Sequence, residues 1–288
     1  MFVIVTPAHD ERDNIAELGG QLAVSTVHPD LWVVVDDGST DGTGDVAAEL
    51  QLPFPVKIVR RPNDGGLIGG SAFRAWQYGI DSLTEPERQS MSAVMKLDAD
   101  VALPPAYLER ALASLRANGV GLVGGYKSDR SDREQLLHVP GSVGLYSRAG
   151  YEALRELPRH VGFDVVDEVA VRRAGLQVLV LRDLPYAMRR PVGASQGRVH
   201  GRRRNGVVCR WVGYSRTYFL LHVLRYVFRP PYAVGAMALV WGYLSAGRGP
   251  YPDWARSGTR DHQRSKMRAL ARHPIRWLRG TYAQAPAP

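Results

Sequence analysis

Among its 288 residues the sequence has one cysteine, Cys209, and only four lysines beside 33 arginines. A single cysteine cannot form an intrachain disulfide, so the chain is not a small secreted scaffold built on disulfides. Hydrophobic residues make up 45% of the chain and charged residues 23%, proportions that are typical of a globular protein and not of a polytopic membrane protein. No charged-then-apolar signal segment precedes the first strand-like run, so we expect a cytoplasmic protein.

Acidic residues are scarce in the last hundred positions. Residues 189–288 contain 19 Lys and Arg but only 2 Asp and Glu, a net charge of +17, whereas residues 1–188 contain 18 and 26, a net charge of −8. This division predicts polar chemistry in the front part of the chain. It predicts attraction to an anionic surface, such as lipid, nucleic acid or a phosphorylated substrate, in the back part.

The sequence also lacks an apolar run long enough to cross a bilayer. The longest candidate, residues 232–246, would form a helix of about 22 Å at about 1.5 Å per residue, short of the roughly 30 Å of a hydrocarbon core. We expect this helix either to lie in a membrane interface or to close the core of its own domain. The polar, glycine-rich residues 193–206 before it predict a mobile basic loop.

Short apolar runs alternate with helix-like stretches in the front part. The runs are rich in β-branched residues and bounded by Gly, Pro or Asp, which is typical of buried strands. The alternation predicts a mostly parallel sheet flanked by helices, with ligands beyond the carboxyl ends of the strands. The predicted strands are 2–6, 31–37, 56–59, 93–98, 120–125 and 176–183, and the predicted helices are 13–25, 40–50, 68–83 and 104–118.

Two nucleotide-binding patterns are missing. The first predicted strand is followed by TPAHDE, residues 6–11, which has no dinucleotide-binding glycine fingerprint. The glycine-rich GGLIGGS, residues 65–71, lacks the Gly-Lys-Ser/Thr ending of a phosphate-binding P-loop. The sequence therefore disfavours a dinucleotide-dependent dehydrogenase and a P-loop nucleotidase.

Carboxylates follow two of the predicted strands and also lie at the start of a helix. DDGSTDGT, residues 36–43, is partly turn chemistry, but turns do not explain the second consecutive carboxylate, Asp37. In an extended chain Asp98 and Asp100 of LDAD would point to the same side, as a divalent cation bound to a diphosphate requires. GFDVVDE, residues 162–168, begins an amphipathic helix, where its carboxylates either complement the helix dipole or supply a general base.

Taken in order, VTPAHDE, VVVDDGSTDGT, the glycine-rich stretch, KLDADV and the GFDVVDE helix resemble family 2 glycosyltransferases of the GT-A fold. The resemblance covers about residues 2–185. It implies a GT-A domain over residues 1–190, Rossmann-like and flanked by helices. It also implies an inverting enzyme that uses a nucleoside-diphosphate sugar and Mg²⁺ or Mn²⁺. Residues 191–288 would form a basic loop and a mainly helical region that contacts the acceptor or a membrane.

The resemblance also implies roles for single residues. The nucleotide would contact the segment after the first strand, the second aspartate of the DD pair and the Asp-x-Asp; the metal would be held by the Asp-x-Asp. Three carboxylates are candidates for the catalytic base: Asp164, which lies eleven residues before the closing glycine of its helix, and its rivals Asp167 and Glu168. The resulting assignments are Pro7, Ala8, His9, Glu11, Asp37 and Asp98 for the nucleotide; Asp98 and Asp100 for the metal; and Asp164 or Asp167 as base.

The chain departs from the family pattern at several positions. His9 and Asp10 stand where a Tyr-Asn pair is common, and Val207 occupies the glutamine position of the signature of processive enzymes, which disfavours long-chain polymer synthesis. His200 in the predicted loop is a candidate third metal ligand. Arg202, Arg203 and Arg204 would bind the donor diphosphate or an anionic acceptor, or else form a solvated charge run.

The favoured interpretation is a metal-dependent glycosyltransferase in which Asp164 or Asp167 deprotonates an acceptor hydroxyl. The acceptor would be a sugar, a small molecule or a lipid-linked molecule, and the basic back part would dock on an anionic membrane, on the inner face of the plasma membrane. We expect no nucleic-acid partner. Two alternatives stay open: a basic nucleic-acid-binding protein, and a sugar nucleotidyltransferase with paired aspartates.

Overall fold

The computed structural model describes residues 1–63, 71–128, 138–158, 160–189 and 197–272. Residues 65–70 of the glycine-rich stretch, 193–196 of the predicted loop and the end of the chain lie outside this part. The described residues divide into two compact units: residues up to 158 together with 171–189, and residues 160–170 together with 197–272.

An eight-stranded mixed sheet forms the centre of the first unit within the described residues. Its strand order is β3-β2-β1-β4-β7-β6-β8-β5. The first four strands in this order are parallel, and β7 pairs antiparallel with both β4 and β6. The strand bounds are β1 Phe2–Ala8, β2 Leu31–Asp37, β3 Val56–Arg61, β4 Ala93–Lys96, β5 Val101–Ala102, β6 Val120–Lys127, β7 Leu145–Ser147 and β8 Gln177–Met188.

Helices cover both faces of the sheet. On one face Ile4 and Trp32 pack in a single core with residues of α1, α2 and α5. On the other face α3 lies so close that a Cβ on its Gly79 would come within 2.7 Å of the Val35 side chain. The helices associated with this unit are α1 Arg12–Ala23, α2 Thr43–Glu49, α3 Ser71–Asp81, α4 Glu85–Ser90, α5 Tyr107–Leu115, α6 Arg148–Glu152 and α7 Phe163–Arg173, whose first eight residues belong to the second unit.

All six predicted strands and the four predicted helices are present, with ends shifted by a few residues. The short strands β5 and β7 and the short helices α4 and α6 were not predicted. Sequence periodicity is uninformative over so few residues. A strand of two or three residues, or a helix of five or six, is too short for its apolar positions to repeat. The predicted α/β architecture is therefore confirmed.

The second unit is helical, as expected for the basic part of the chain. Its remaining helices are α8 Arg198–Trp211, α9 Arg216–Val227, α10 Tyr232–Ser245 and α11 Asp253–Arg272. Residues 160–170 group with them through contacts such as those of the Tyr251 hydroxyl, which donates to the carbonyl oxygens of His160 at 2.7 Å and Val161 at 3.0 Å.

The predicted basic loop is wrong from residue 198 onwards, because α8 begins at Arg198 and places His200 and the three consecutive arginines on a helix. The glycines of this segment indicated a loop, but Gly206 serves helix packing instead. A Cβ on Gly206 would collide with the backbone carbonyl of Leu239 and come within 2.7 Å of the Tyr243 amide nitrogen in α10. The missing side chain thus lets two helices approach at backbone distance.

None of the helices in the described part of the chain is long and apolar enough to cross a membrane. The most apolar one, α10, has 14 residues. It packs on α8 through Gly235, Ala236, Leu239 and Gly242, which are buried. The opposite side of α10 is exposed.

Candidate functional site

The parallel strands of the first unit bring several chemistry-bearing residues to one edge of the sheet. Ala8 at the end of β1 pairs with Asp36 in β2, and Val5 pairs with Lys96, the last residue of β4. His9, Asp37 and the LDAD segment therefore follow three adjacent strands at their carboxyl ends. Ligands bind at this edge in open α/β sheets.

Asp37 is the last residue of β2 and only 3% exposed. Its Oδ1 lies 3.3 Å from Nε of Arg61, the residue paired with it across β2 and β3. The ring Nδ1 of His9 lies 2.9 Å from the backbone carbonyl oxygen of Asp37, so this nitrogen carries the proton and donates. These contacts hold a carboxylate, a guanidinium and an imidazole together at the strand ends.

Three other carboxylates of the first two loops, those of Asp36, Asp10 and Asp41, accept hydrogen bonds from backbone amides. Asp36 Oδ1 accepts from the Ser39 amide at 2.9 Å, Asp10 Oδ1 accepts from the Thr40 amide at 2.8 Å, and Asp41 Oδ2 accepts from the Arg12 amide at 3.0 Å. Burial acts to raise the pKa of Asp41, but hydrogen bonds from Thr43 and from the amides outweigh it, so the pKa is lowered. These side chains perform the turn role, which leaves Asp37 as the residue of the DD pair suited to a ligand.

The other residues assigned to the nucleotide lie close to this pair in sequence. Pro7 and Ala8 end β1, and Ala8 is buried. Glu11 precedes the first residue of α1; its amide donates to Thr43 Oγ1 at 2.9 Å, and its carboxylate accepts from Asn14 Nδ2 at 2.6 Å. The loop between β1 and α1 is thus tied to the loop after β2.

Asp98 and Asp100 lie just past β4, but they are not in extended chain. The strand ends at Lys96, and the Val101 amide donates to the Asp98 carbonyl oxygen at 3.3 Å, which closes a turn over Asp98–Val101. The expectation that Asp98 and Asp100 lie in extended chain, with both side chains on one side, is therefore wrong, because the chain turns at these residues. Both aspartates are partly exposed, whereas Ala99 between them is 2% exposed.

Lys96 is a residue of this edge that sequence reasoning missed. Its ammonium group is buried and forms an ion pair with Asp98 Oδ1. The pair neutralises one of the two negative charges and holds the Asp98 carboxylate in position. The KLDAD motif did contain a signal for this ion pair, because a lysine and an aspartate two residues apart at a strand end can lie on the same side of the chain. Arg61 could likewise have been found from the parallel pairing of β2 and β3.

Carboxylate oxygens are ligands that Mg²⁺ and Mn²⁺ prefer, and a protein that supplies one or two of them leaves the remaining positions to phosphate oxygens and water. Asp98 and Asp100 fit such a cation by chemistry and by partial exposure. Within the described residues no three His, Cys, Asp or Glu side chains gather into a group that could hold a metal ion. The sequence-based assignment of His200 as a third ligand stays a prediction, now for a helical residue of the second unit.

The three candidate bases differ in exposure. α7 begins at Phe163, after Gly162 with φ of +85°, and Asp164 lies in its first turn. Asp167 and Glu168 are 1% and 2% exposed, whereas Asp164 is partly exposed. A base must reach its substrate proton, so exposure favours Asp164. The Val165 amide donates to Asp164 Oδ1 at 3.1 Å.

The second unit contains a titratable cluster that sequence reasoning missed. His222 of α9 lies edge-on between the rings of Tyr214 and Tyr226, with ring centroids 5.9 and 4.9 Å away. The guanidinium of Arg202 lies over the Tyr226 ring at 3.8 Å. Burial, and then the charge of Arg202, lower the pKa of His222 to about 4. The imidazole is therefore neutral in the folded protein at neutral pH.

This cluster makes stability depend on pH. The unfolded chain takes up a proton on His222 near pH 6.5, whereas the folded chain does so only near pH 4. Stability is therefore complete above pH 6.5 and is lost as the pH falls towards 4. We expect the free energy of unfolding to decrease by about 2 kcal/mol more between pH 7 and pH 5 in the wild type than in His222→Phe. Urea titrations at both pH values measure this, and identical losses would contradict it.

Cys209 is buried in the same unit, where burial raises its pKa to about 12. A thiol with this pKa is protonated at neutral pH and does not act as a nucleophile. It packs with Phe219 and Leu239 as a small apolar side chain. The single cysteine is thus part of the core.

Comparison with known proteins adds independent information. The family model for glycosyl transferase family 2 matches residues 3–179. Polyprenol monophosphomannose synthase of Mycolicibacterium smegmatis is 33% identical over 119 residues, which cover 40% of this chain and 41% of that protein. Dolichol-phosphate mannosyltransferase of Pyrococcus furiosus is 26% identical over 190 residues, which cover 62% of this chain and 50% of that protein. The chain thus spans half or less of the length of these relatives.

A solved structure matches nearly the whole chain. It is the mannosyltransferase PcManGT from Pyrobaculum calidifontis in complex with GDP-Man and Mn²⁺, with a TM-score of 0.59 and 20% identity. The match covers 95% of this chain and 74% of that one. At this identity it shows a shared fold.

Proposed function

The chain belongs to glycosyl transferase family 2 and has its GT-A fold, and from this we propose that it transfers a sugar, with inversion, from a nucleoside-diphosphate sugar to a lipid-linked acceptor. The observation that carries the proposal is the edge where β1, β2 and β4 end, which bears His9, Asp37, Asp98 and Asp100. The relatives named for polyprenol and dolichol support a lipid-linked acceptor.

The donor half of the proposal concerns the first unit. Asp37, held by Arg61, would accept hydrogen bonds from the base or ribose, and His9 would lie against the nucleotide. Asp98 and Asp100 would hold Mg²⁺ or Mn²⁺, as the resemblance implied. When bound, the cation neutralises charge on the departing nucleoside diphosphate. Lys96 would keep Asp98 oriented towards it.

The acceptor half of the proposal concerns the chemistry of the attacking oxygen. We assign a polyprenyl phosphate, because two relatives carry such acceptors in their names and residues 198–245 contain eight arginines and no acidic residue. A hydroxyl acceptor would need Asp164 to take the proton from its attacking oxygen. A phosphate monoester, with a second pKa of about 6, has lost most of its second proton at neutral pH, so Asp164 would matter little for it there.

Donor binding can be measured directly. We expect one member of a panel of UDP-, GDP- and dTDP-sugars to raise the melting temperature by several degrees with Mn²⁺ present, because a ligand at about 100 times its Kd adds about 2.7 kcal/mol to stability. The shift should shrink markedly when EDTA replaces Mn²⁺. The free sugars and AMP serve as controls. If none of the nucleotide sugars shifts the transition, with or without metal, the proposed function is wrong.

A further inference from the structure

Exposed apolar side chains concentrate in one short segment of the second unit. Among the described residues, twelve large hydrophobic side chains are exposed, and nine of them fall within residues 220–244. Scattered single hydrophobic residues on a surface are ordinary, but a contiguous patch marks an interaction site. The nine are Leu220, Leu221, Leu224, Phe228, Tyr232, Val234, Met237, Trp241 and Leu244.

The exposed residues of α10 share one side of the helix. Val234, Met237, Trp241 and Leu244 are spaced by three, four and three residues, which places them on a single stripe. Met237 and Trp241 are each 64% exposed and Leu244 is 75% exposed. The buried residues of α10 lie on its opposite side, against α8, so this stripe stays exposed among the described residues of its unit.

A groove between α9 and α10 continues the exposed stripe. Its volume is about 780 Å³, and its walls are almost entirely aliphatic and aromatic. They are formed by Val223, Val227, Ala233, Met237, Val240 and Trp241, among others. We refer to this groove together with the nine exposed side chains as the apolar face.

The charges of the chain segment that carries the apolar face have one sign. Residues 198–245, which span α8 to α10, contain eight arginines, no lysine and no acidic residue. The guanidinium of Arg203 lies 5.8 Å from the centre of the exposed Trp241 ring. An amphipathic aromatic ring beside a cation at the margin of an apolar surface is typical of protein groups at the level of lipid headgroups.

We infer that the apolar face docks on a lipid bilayer with anionic headgroups, with α9 and α10 lying in the interface. The apolar side chains would enter the boundary of the acyl chains, and the arginines would contact the phosphates. At about 1.5 Å per residue, the 14 residues of α10 measure about 21 Å, too short to cross and suited to lying flat. The inference goes beyond the transfer reaction and does not rest on it.

Vesicle flotation without donor or acceptor tests the inference. We expect the wild type to float with vesicles of phosphatidylcholine and phosphatidylglycerol in equal parts, and to bind several-fold more weakly to phosphatidylcholine alone or in high salt. Trp241→Ser/Leu244→Ser should bind at least about tenfold more weakly. The matched control, Val24→Ser/Val199→Ser, removes side chains that are 68% and 45% exposed outside the apolar face, and should float like the wild type.

A second measurement reports the depth of Trp241 in the wild-type protein. When the protein binds vesicles that contain brominated lipids, part of its tryptophan fluorescence should be quenched. This quenching should be absent in Trp241→Phe, which keeps an aromatic ring and should still float. Flotation of Trp241→Ser/Leu244→Ser equal to the wild type would overturn the inference. So would a wild-type dimer that fails to float and that the same double substitution converts to monomers, since the apolar face would then be an interface between two copies of the chain.

Discussion

Asp100→Asn will fold like the wild type and transfer sugar roughly 10²–10³-fold more slowly. The substitution removes one of the two carboxylate charges in the turn after β4 while keeping the size of the side chain. Asp100 is a better test than Asp98, because loss of the Asp98 charge would remove an ion-pair partner of the buried ammonium of Lys96 and would lower stability as well. The measurement is the initial rate as a function of Mn²⁺ concentration at saturating donor.

Asp81→Asn is the matched control. Asp81 is an exposed aspartate in α3 that accepts a hydrogen bond from Gln77 Nε2 at 2.8 Å, and its substitution should leave the rate unchanged. The donor-induced thermal shift should also lose most of its Mn²⁺ dependence in Asp100→Asn. Wild-type turnover in Asp100→Asn would show that Asp100 does not hold the metal.

Asp164→Asn, assayed in parallel with Asp100→Asn, distinguishes a phosphate acceptor from a hydroxyl acceptor. With a polyprenyl phosphate we expect a loss below about tenfold at pH 8, which grows towards pH 6 as the phosphate takes up its second proton. A hydroxyl acceptor would instead need the base at every pH and would lose about 10²–10⁴-fold. A loss of about 10²–10⁴-fold at pH 8 would show that the acceptor is a hydroxyl and not a phosphate.

Gly206→Val will destabilise the second unit by at least about 3 kcal/mol. A Cβ at position 206 collides with the backbone carbonyl of Leu239 and lies 2.7 Å from the Tyr243 amide nitrogen. Backbone atoms of α10 cannot move aside as a flexible side chain would, so the helices must separate and expose apolar surface. Urea-induced unfolding followed by circular dichroism measures the loss.

Gly201→Val in the same helix is the control for helix propensity. Outside the backbone of its own helix, no atom of the described residues lies within 4 Å of a Cβ placed on Gly201. This substitution therefore changes mainly the helix propensity and should alter stability by no more than about 0.5 kcal/mol. Equal effects of the two substitutions would show that the close approach of α8 and α10 does not stabilise the unit.

Local pattern was enough for the principal strands and for part of the site. β-branched runs bounded by Gly, Pro and Asp predicted six strands, and parallel strands necessarily bring their carboxyl ends to one edge. His9, Asp37, Asp98 and Asp100 could therefore be assigned to that edge from the order of the motifs. The buried ion pair of Lys96 was also within reach, because Asp98 lies two residues further along the same segment. The Arg61 partner of Asp37 was within reach because it follows from the pairing of β2 with β3.

Other features depend on contacts between residues far apart in the chain, which no local window contains. The segment around Gly206 has the composition of a loop. Only the close approach of Gly206 to the backbone of Leu239 explains why a glycine occurs in a helix there. The turn over residues 98–101, which contains both Asp98 and Asp100, replaces the extended chain expected from the strand pattern. Burial of Asp167 and Glu168 leaves Asp164 as the accessible carboxylate. The pattern of apolar residues in the sequence thus predicted the principal strands and the order in which their polar ends follow. Packing determined which of those polar groups stay accessible, because burial is a property of the folded chain.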